Sequence, residues 1–322
     1  MARLFSVVEP FILLLLGTVA LATLLPPRGA WATGLAYAAD AGIVLLFFLH
    51  GAKLSREAIV AGALGWRLHA AVLAATFALF PLLGLLVSRA ASGPVAAGLM
   101  FLTLLPSTVQ SSIAFTSVAR GNVAAAVCSA SFSNLAGIVV TPVLATLLMR
   151  SATGSGGGFP LGSAEAIVGQ LLAPFVAGHL LRPLVGGFVA RRKGLVSAVD
   201  RGSILLVVYT AFGAAVAQGL WHRVSGGDLA LVMALCAALL AAVLLATWGA
   251  GRALGFERAD RVVLVFCGSK KSLASGVPMA GVLFPAAQLG QVILPLMIFH
   301  QIQLIACAVI ARRWSERAAR AA

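Results

Sequence analysis

The string Phe266-Cys267-Gly268-Ser269-Lys270-Lys271-Ser272-Leu273-Ala274-Ser275-Gly276-Val277-Pro278 sets two adjacent ammonium groups some nine residues into an apolar run. Near the centre of a bilayer each would cost at least ~2.5 to 3.5 kcal/mol on insertion scales, so the pair demands compensation. Three chemistries would supply it. A lysine can stand in for a bound cation, tying the chain together through carbonyls freed at Gly268 and Gly276 and through Ser111, Ser112 and Ser269. It can give up its proton and so couple movement of a solute to protons. It can bind an anion at the N-terminal end of the half-helix that starts near Ser272, where the helix dipole also favours negative charge. Adjacent residues on a helix point about 100° apart, which predicts different tasks for Lys270 and Lys271. A pair of structural charges reaching for an interface is the bland alternative.

A second string, Phe101-Leu102-Thr103-Leu104-Leu105-Pro106-Ser107-Thr108-Val109-Gln110-Ser111-Ser112, also interrupts an apolar run with a helix breaker and hydroxyls. Gln110 beside Ser111 is expected to line the same cavity, and His300, with Gln301 and Gln303 downstream, is a candidate neighbour. Asp40, near the start of an earlier run, reads as an interfacial cap or a carboxylate facing the core. His50, His69, His179 and His300 fall in different runs with no i, i+4 pairing, so no metal site is expected. Cys128, Cys236, Cys267 and Cys307 read as buried packing residues. No nucleophile with an attendant base, paired carboxylate or Gly-rich nucleotide loop appears, which argues against an enzyme and against any cofactor.

The elements carrying these residues follow from composition. Of 322 residues 61% are hydrophobic and 10% charged, too apolar a ratio for a water-soluble shell. The runs are rich in Leu, Ala, Val and Gly without alternation, so an all-α integral membrane protein is predicted rather than a barrel. Ten spans are read, at 8 to 26, 34 to 52, 68 to 88, 94 to 118, 121 to 149, 164 to 186, 202 to 221, 229 to 253, 261 to 284 and 288 to 311. Arg3, the first apolar stretch and Ala30-Trp31-Ala32 imitate a cleavable leader, but Glu9-Pro10 breaks the approach to the stretch.

Net charge is +14, yet the basic residues are scattered between apolar runs, which excludes nucleic acid as the main partner. With ten spans, one side collects seventeen Lys and Arg, the other collects Arg28, Arg89, Arg150 and Arg223, and Lys270 and Lys271 belong to neither. That bias places both termini in the cytoplasm of an inner-membrane protein and leaves anionic lipid as a partner for the basic loops.

The two halves repeat one layout: residues 1–150 and 164–322, joined by a Gly- and Ser-rich linker at 151–163, each with an interrupted fourth member. Five spans per half is an odd number, so the repeats must be inverted in the membrane. Broken helices in equivalent positions of inverted repeats point to a transport site at the midplane.

Ala119-Arg120-Gly121-Asn122-Val123-Ala124, with the Ser111-Ser112 pair before it and Thr141-Pro142 after it, resembles the fourth-to-fifth helix crossover of the bile acid:sodium symporter superfamily. Phe47-Phe48-Leu49-His50-Gly51-Ala52-Lys53-Leu54-Ser55 and Cys267-Gly268-Ser269-Lys270-Lys271-Ser272 narrow this to a divergent branch, the bacterial relatives of the seventh member of human solute carrier family 10. The resemblance implies a panel domain of helices 1, 2, 6 and 7, a core domain of helices 3–5 and 8–10, broken helices 4 and 9 crossing in the core, and elevator-like alternating access. Phe266 stands where typical members carry a sodium-binding Glu, and Lys270-Lys271 replace a Gln-Asn pair. Ser111-Ser112 match a Ser-Asn, Ala126 and Ala130 a Ser and a Thr, and Thr76 a Gln of the third helix. Hard cations need several oxygens, so sodium coupling in the family manner is not expected. Because Lys270 matches the Gln that faces the family's ions, it is expected to hold the crossover while Lys271 faces the cavity.

The reading is a secondary transporter of a small organic anion, its substrate and coupling site drawn from Lys270, Lys271, Ser269, Ser272, Ser111, Ser112, Gln110, Thr76 and His300. A non-transporting membrane regulator of ion homeostasis and a cation/proton antiporter are the alternatives. The antiporter calls for a carboxylate at the crossover, and the sequence has none there.

Overall fold

A computed structural model describes residues 10–53, 65–152, 168–217, 219 and 225–320. The linker from 153 onward, with Arg3, Arg56 and Arg223 of the charge count, lies outside the described residues. All regular structure among the described residues is helical. In chain order the helices are α1 (Pro10–Leu24), α2 (Gly29–Lys53), α3 (Trp66–Ala90), α4 (Gly93–Leu104), α5 (Gln110–Val118), α6 (Val123–Ala152), α7 (Ala173–Leu180), α8 (Arg182–Arg191), α9 (Lys193–Ala217), α10 (Gly226–Ala253), α11 (Arg258–Gly268), α12 (Leu273–Leu283) and α13 (Ala286–Arg320).

Six of these are long and apolar enough to cross a bilayer, or seven if the bent pair Gly169–Leu180 and Arg182–Arg191 is one span. Leu13, Leu14, Leu16, Leu147, Leu184 and Leu245 point outward, about half to four-fifths exposed, as lipid contact requires and water would not favour. The chain is a multi-pass membrane protein. Three windows differ from straight spans. The fourth and ninth each hold two short helices, α4 with α5 and α11 with α12. The sixth turns by 92° between α7 and α8. Asp40 does not cap α2 but lies exposed in its middle.

The chain divides into two compact units. The first takes residues 1–55, 157–225 and 277–293. In it α2 and α7 cross backbone to backbone: a Cβ on Gly51 would sit 2.0 Å from the Phe175 carbonyl, and one on Gly178 2.0 Å from that of Phe48. Only glycine permits that approach. α9 is tied to the same group by Lys53, which pairs with Asp200, and by the Tyr209 hydroxyl, which donates to the Leu25 carbonyl at 2.7 Å.

The second unit takes residues 56–156, 226–276 and 294–322. Its centre is α11, which has an apolar neighbour on either flank. Val263, Leu264 and Cys267 pack with Leu68 and Val72 of α3 and Ala126 and Ala130 of α6. Val262, Val265 and Phe266 pack with Ala119, Cys307 and Ala311. All the proposed site residues belong to this second unit.

Candidate functional site: the lysine crossover

Two local defects in helical hydrogen bonding build the site. α4 ends at Leu104 because Leu105 precedes Pro106, and proline drives the residue before it out of the helical region; Leu105 has φ −74° and ψ 154°. The carbonyls so freed all find partners. Leu104 accepts from the Thr141 hydroxyl at 2.8 Å, Pro106 from the Ser272 N–H at 2.8 Å, and Ser107 from the Asn134 amide at 2.7 Å. The Ser107 N–H, which a continued helix would give to Thr103, goes to the Ser133 hydroxyl at 2.9 Å. Thr103 and Leu105 therefore keep carbonyls free for something else.

The second defect lies in α3. A π-helical turn spans Ala75–Leu79, and the Phe80 N–H bonds back to Ala75 rather than to Thr76. The next residue is Pro81, which has no N–H to give. The Thr76 carbonyl is thereby left without a helical donor.

Lys271 Nζ reaches all three. It donates to the carbonyls of Thr76 at 2.8 Å, Thr103 at 2.7 Å and Leu105 at 2.7 Å, which uses its full donor capacity. The Phe80 ring covers it at 4.1 Å to the centroid. Two of the three acceptors lie at the C-terminal end of α4, where the helix dipole attracts a cation. The lysine backbone is clamped too: Gln303 accepts from its N–H at 2.9 Å and donates to its carbonyl at 2.9 Å.

Lys270 is equally buried, with no exposed surface, yet is held far more loosely. Its Nζ has one long contact to the Ser111 hydroxyl, 3.4 Å, and lies over the rings of Phe115 at 4.3 Å and Phe266 at 5.6 Å. The expected roles are thus exchanged: Lys271 ties the crossover together, and Lys270 has donors to spare. The reason is the break itself. The decisive acceptors are the α3 and α4 carbonyls, and they face the second lysine.

Most of the remaining candidates gather around the pair. Ser112 donates to the Phe266 carbonyl at 3.0 Å and meets Thr108 at 2.9 Å, while Ser111 donates to Thr108 at 2.8 Å. Ser272 caps the start of α12, accepting from the Ser275 N–H at 3.2 Å. Ser269 is buried with a hydroxyl that has no partner among the described residues. The Thr76 hydroxyl bonds back to Val72 at 2.8 Å, so Thr76 serves through its carbonyl. His300 meets the Gln303 amide at 2.8 Å and also lies against the Lys271 backbone. Gln110, expected to line the cavity, does not join them: it is exposed at the first turn of α5.

Asn134, Phe80 and Phe115 are site residues that sequence reasoning did not single out, and Thr141 entered it only as part of a resembling motif. Asn134 bridges the two breaks, accepting from Ser275 at 2.9 Å while its amide holds Ser107. A proline at 81 within an apolar run was the available signal for the freed Thr76 carbonyl. At three of the positions where sodium-binding oxygens would stand by resemblance, carbon is found. Ala126 and Ala130 are fully buried against Leu264 and Cys267, and Phe266 lies between the tilted rings of Phe115 and Trp314, with centroids 6.0 and 5.6 Å away.

A family model described as the SBF-like CPA transporter family matches residues 9–316. The chain belongs to that family. It is 50% identical to "Putative symporter YfeH" of Escherichia coli over 98% of this chain and 95% of that protein. It is 52% identical to protein PA2026 of Pseudomonas aeruginosa over 96% of this chain and 93% of the other. The sodium/bile acid cotransporter 7 of Rattus norvegicus is 27% identical over 83% and 80% of the two chains. Membership makes this a protein of a membrane-transporter family, and the functional names among these relatives are those of transporters rather than enzymes.

Proposed function

We propose that the protein is a secondary transporter of a small organic anion that works by elevator-like alternating access on ten spans in two inverted repeats, and that it does not use sodium in the family manner. The observation that carries the reading is the meeting of two interrupted helices around two buried lysines in the second unit. A buried ionisable residue in a membrane protein is costly and tends to mark a pathway for solutes or protons. Lys271 has all three donors committed to carbonyls, so Lys270, with the Ser111 hydroxyl beside it, is the group left to take an anion or to release a proton. The sodium-site positions Phe266, Ala126 and Ala130 offer no side-chain oxygen, which supports the second part. The complete burial of both ammoniums favours one further reading, a non-transporting regulator in which the pair is only a fixed staple.

The test is a thermal-stability screen of the purified protein against carboxylates, sulfates and phosphates, with sodium present or replaced by choline, followed by flux of any hit into proteoliposomes. Ligand binding to the native state raises apparent stability by mass action. A carboxylate that stabilises without sodium, and loses its effect in Lys270→Met, is the expected result. Stabilisation by sodium alone would overturn the coupling proposed. No anion response and no flux would leave the regulator.

A further inference from the structure

We propose that the carbonyls of Thr76, Thr103 and Leu105 form a monovalent-cation cradle that the chain fills with its own ammonium, so that Lys271 acts as a tethered ion completing the crossover. This deepens the sodium independence proposed above. Of the positions where resemblance places the family's sodium ligands, the cradle shares only Thr76, through its carbonyl, and the lysine itself. Three others, Phe266, Ala126 and Ala130, are packed with carbon. It arises instead from two unrelated defects, the π-turn with Pro81 in α3 and the Pro106 break after α4, each of which strips a helical donor from a carbonyl.

Three features mark it as a cation site rather than a place where a lysine happens to lie. All three contacts are short, 2.7 to 2.8 Å, and all are to backbone oxygens, which replace a hydration shell in the way that ion-selective carbonyl rings do. The Phe80 ring presents its face at 4.1 Å, with Phe77 further off at 6.0 Å, and ring faces favour cations of any kind. No carboxylate among the described residues neutralises the charge, so the C-terminal dipole of α4, the carbonyls and the ring face stabilise it instead. The neighbouring Thr103 hydroxyl and Thr76 hydroxyl are already turned to Met100 and Val72, leaving the carbonyls as the ligands.

If the cradle selects a cation and the tether only delivers it, shortening the side chain should create a site for a free one. Lys271→Ala removes the propylammonium part of the side chain. The experiment carries that variant through solubilisation and purification in propylammonium, ethylammonium, potassium, sodium or choline, and reads its monodisperse fraction and melting temperature. The expected result is a saturable recovery of more than half the melting-temperature loss with propylammonium, less with ethylammonium and potassium, and none with choline. Lys271→Met, whose side chain refills the channel, should show no recovery, and neither should Lys270→Ala. Equal behaviour of Lys271→Ala in all five cations would overturn the cradle, whether the variant is stable or not, because the monodisperse fraction is read even where melting cannot be. Recovery of Lys271→Met to the same extent would overturn it as well. A failure here leaves the wild-type anion screen untouched, and a failure of that screen leaves this recovery untouched.

Discussion

At the scale of single residues, the two lysines differ in what their removal would do. Lys271→Met strands three buried carbonyls, each worth about 1 to 3 kcal/mol when left unpaired, so a loss of at least about 3 kcal/mol is expected. Lys270→Met gives up one 3.4 Å contact and two ring faces while relieving a buried charge, so its stability should stay within about 1 kcal/mol of the wild type or rise. Chemical denaturation or thermal melting of both variants in one detergent settles the order, and a larger loss for Lys270→Met would reverse the assignment. Gln303→Met should fall between them, because it unpairs both backbone groups of Lys271 but leaves the ammonium seated.

Helix ends and helix contacts make the next scale testable. α5 closes with the Gly121 N–H bonded to Thr116 and the Arg120 N–H to Ser117, a Schellman-type end that places Arg120 at φ 55° where glycine is usual. Arg120→Gly should therefore stabilise the protein, by up to about 1 kcal/mol. The next residue, Asn122, caps α6 through the Ala125 N–H at 3.0 Å and also donates to Asp260 at 2.9 Å. Asn122→Ala should cost about 1 kcal/mol or slightly more. Gly137→Ala on α6 should cost more than either, since its Cβ would lie 2.7 Å from the rigid ring of Pro106, the residue that breaks α4. Melting temperatures of the three variants, compared with Gly17→Ala, where nothing lies within 4 Å, provide the check.

For the whole molecule the charge count makes the prediction. Seventeen basic residues against four put both termini in the cytoplasm if there are ten spans. A reporter fused after Ala322 should be active when it is of the cytoplasmic type and silent when of the periplasmic type; the opposite pattern would mean an odd number of spans or a reversed orientation. Sodium should leave the melting temperature where choline leaves it across the millimolar range, and a saturable sodium-specific rise would contradict the carbon-filled positions around Phe266.

Run length and composition were enough for the helical membrane class, because a backbone in lipid must bond within its own segment. Pro106 and Gly268 announced the breaks in the fourth and ninth windows for the same local reason, and a lysine pair deep in an apolar run pointed to the candidate site. Other features depended on which atoms meet across separate helices. The sequence could not show that Pro81 frees a carbonyl for Lys271 rather than merely kinking α3, that Thr76 serves by its backbone, or that Asn134 and Gln303 clamp the two breaks. Local pattern ranks Lys270 and Lys271 by analogy alone, whereas three oxygens converging from α3 and α4 decide which ammonium is held. The 92° turn after Leu180 was likewise invisible, since an apolar window of the right length does not record its own direction.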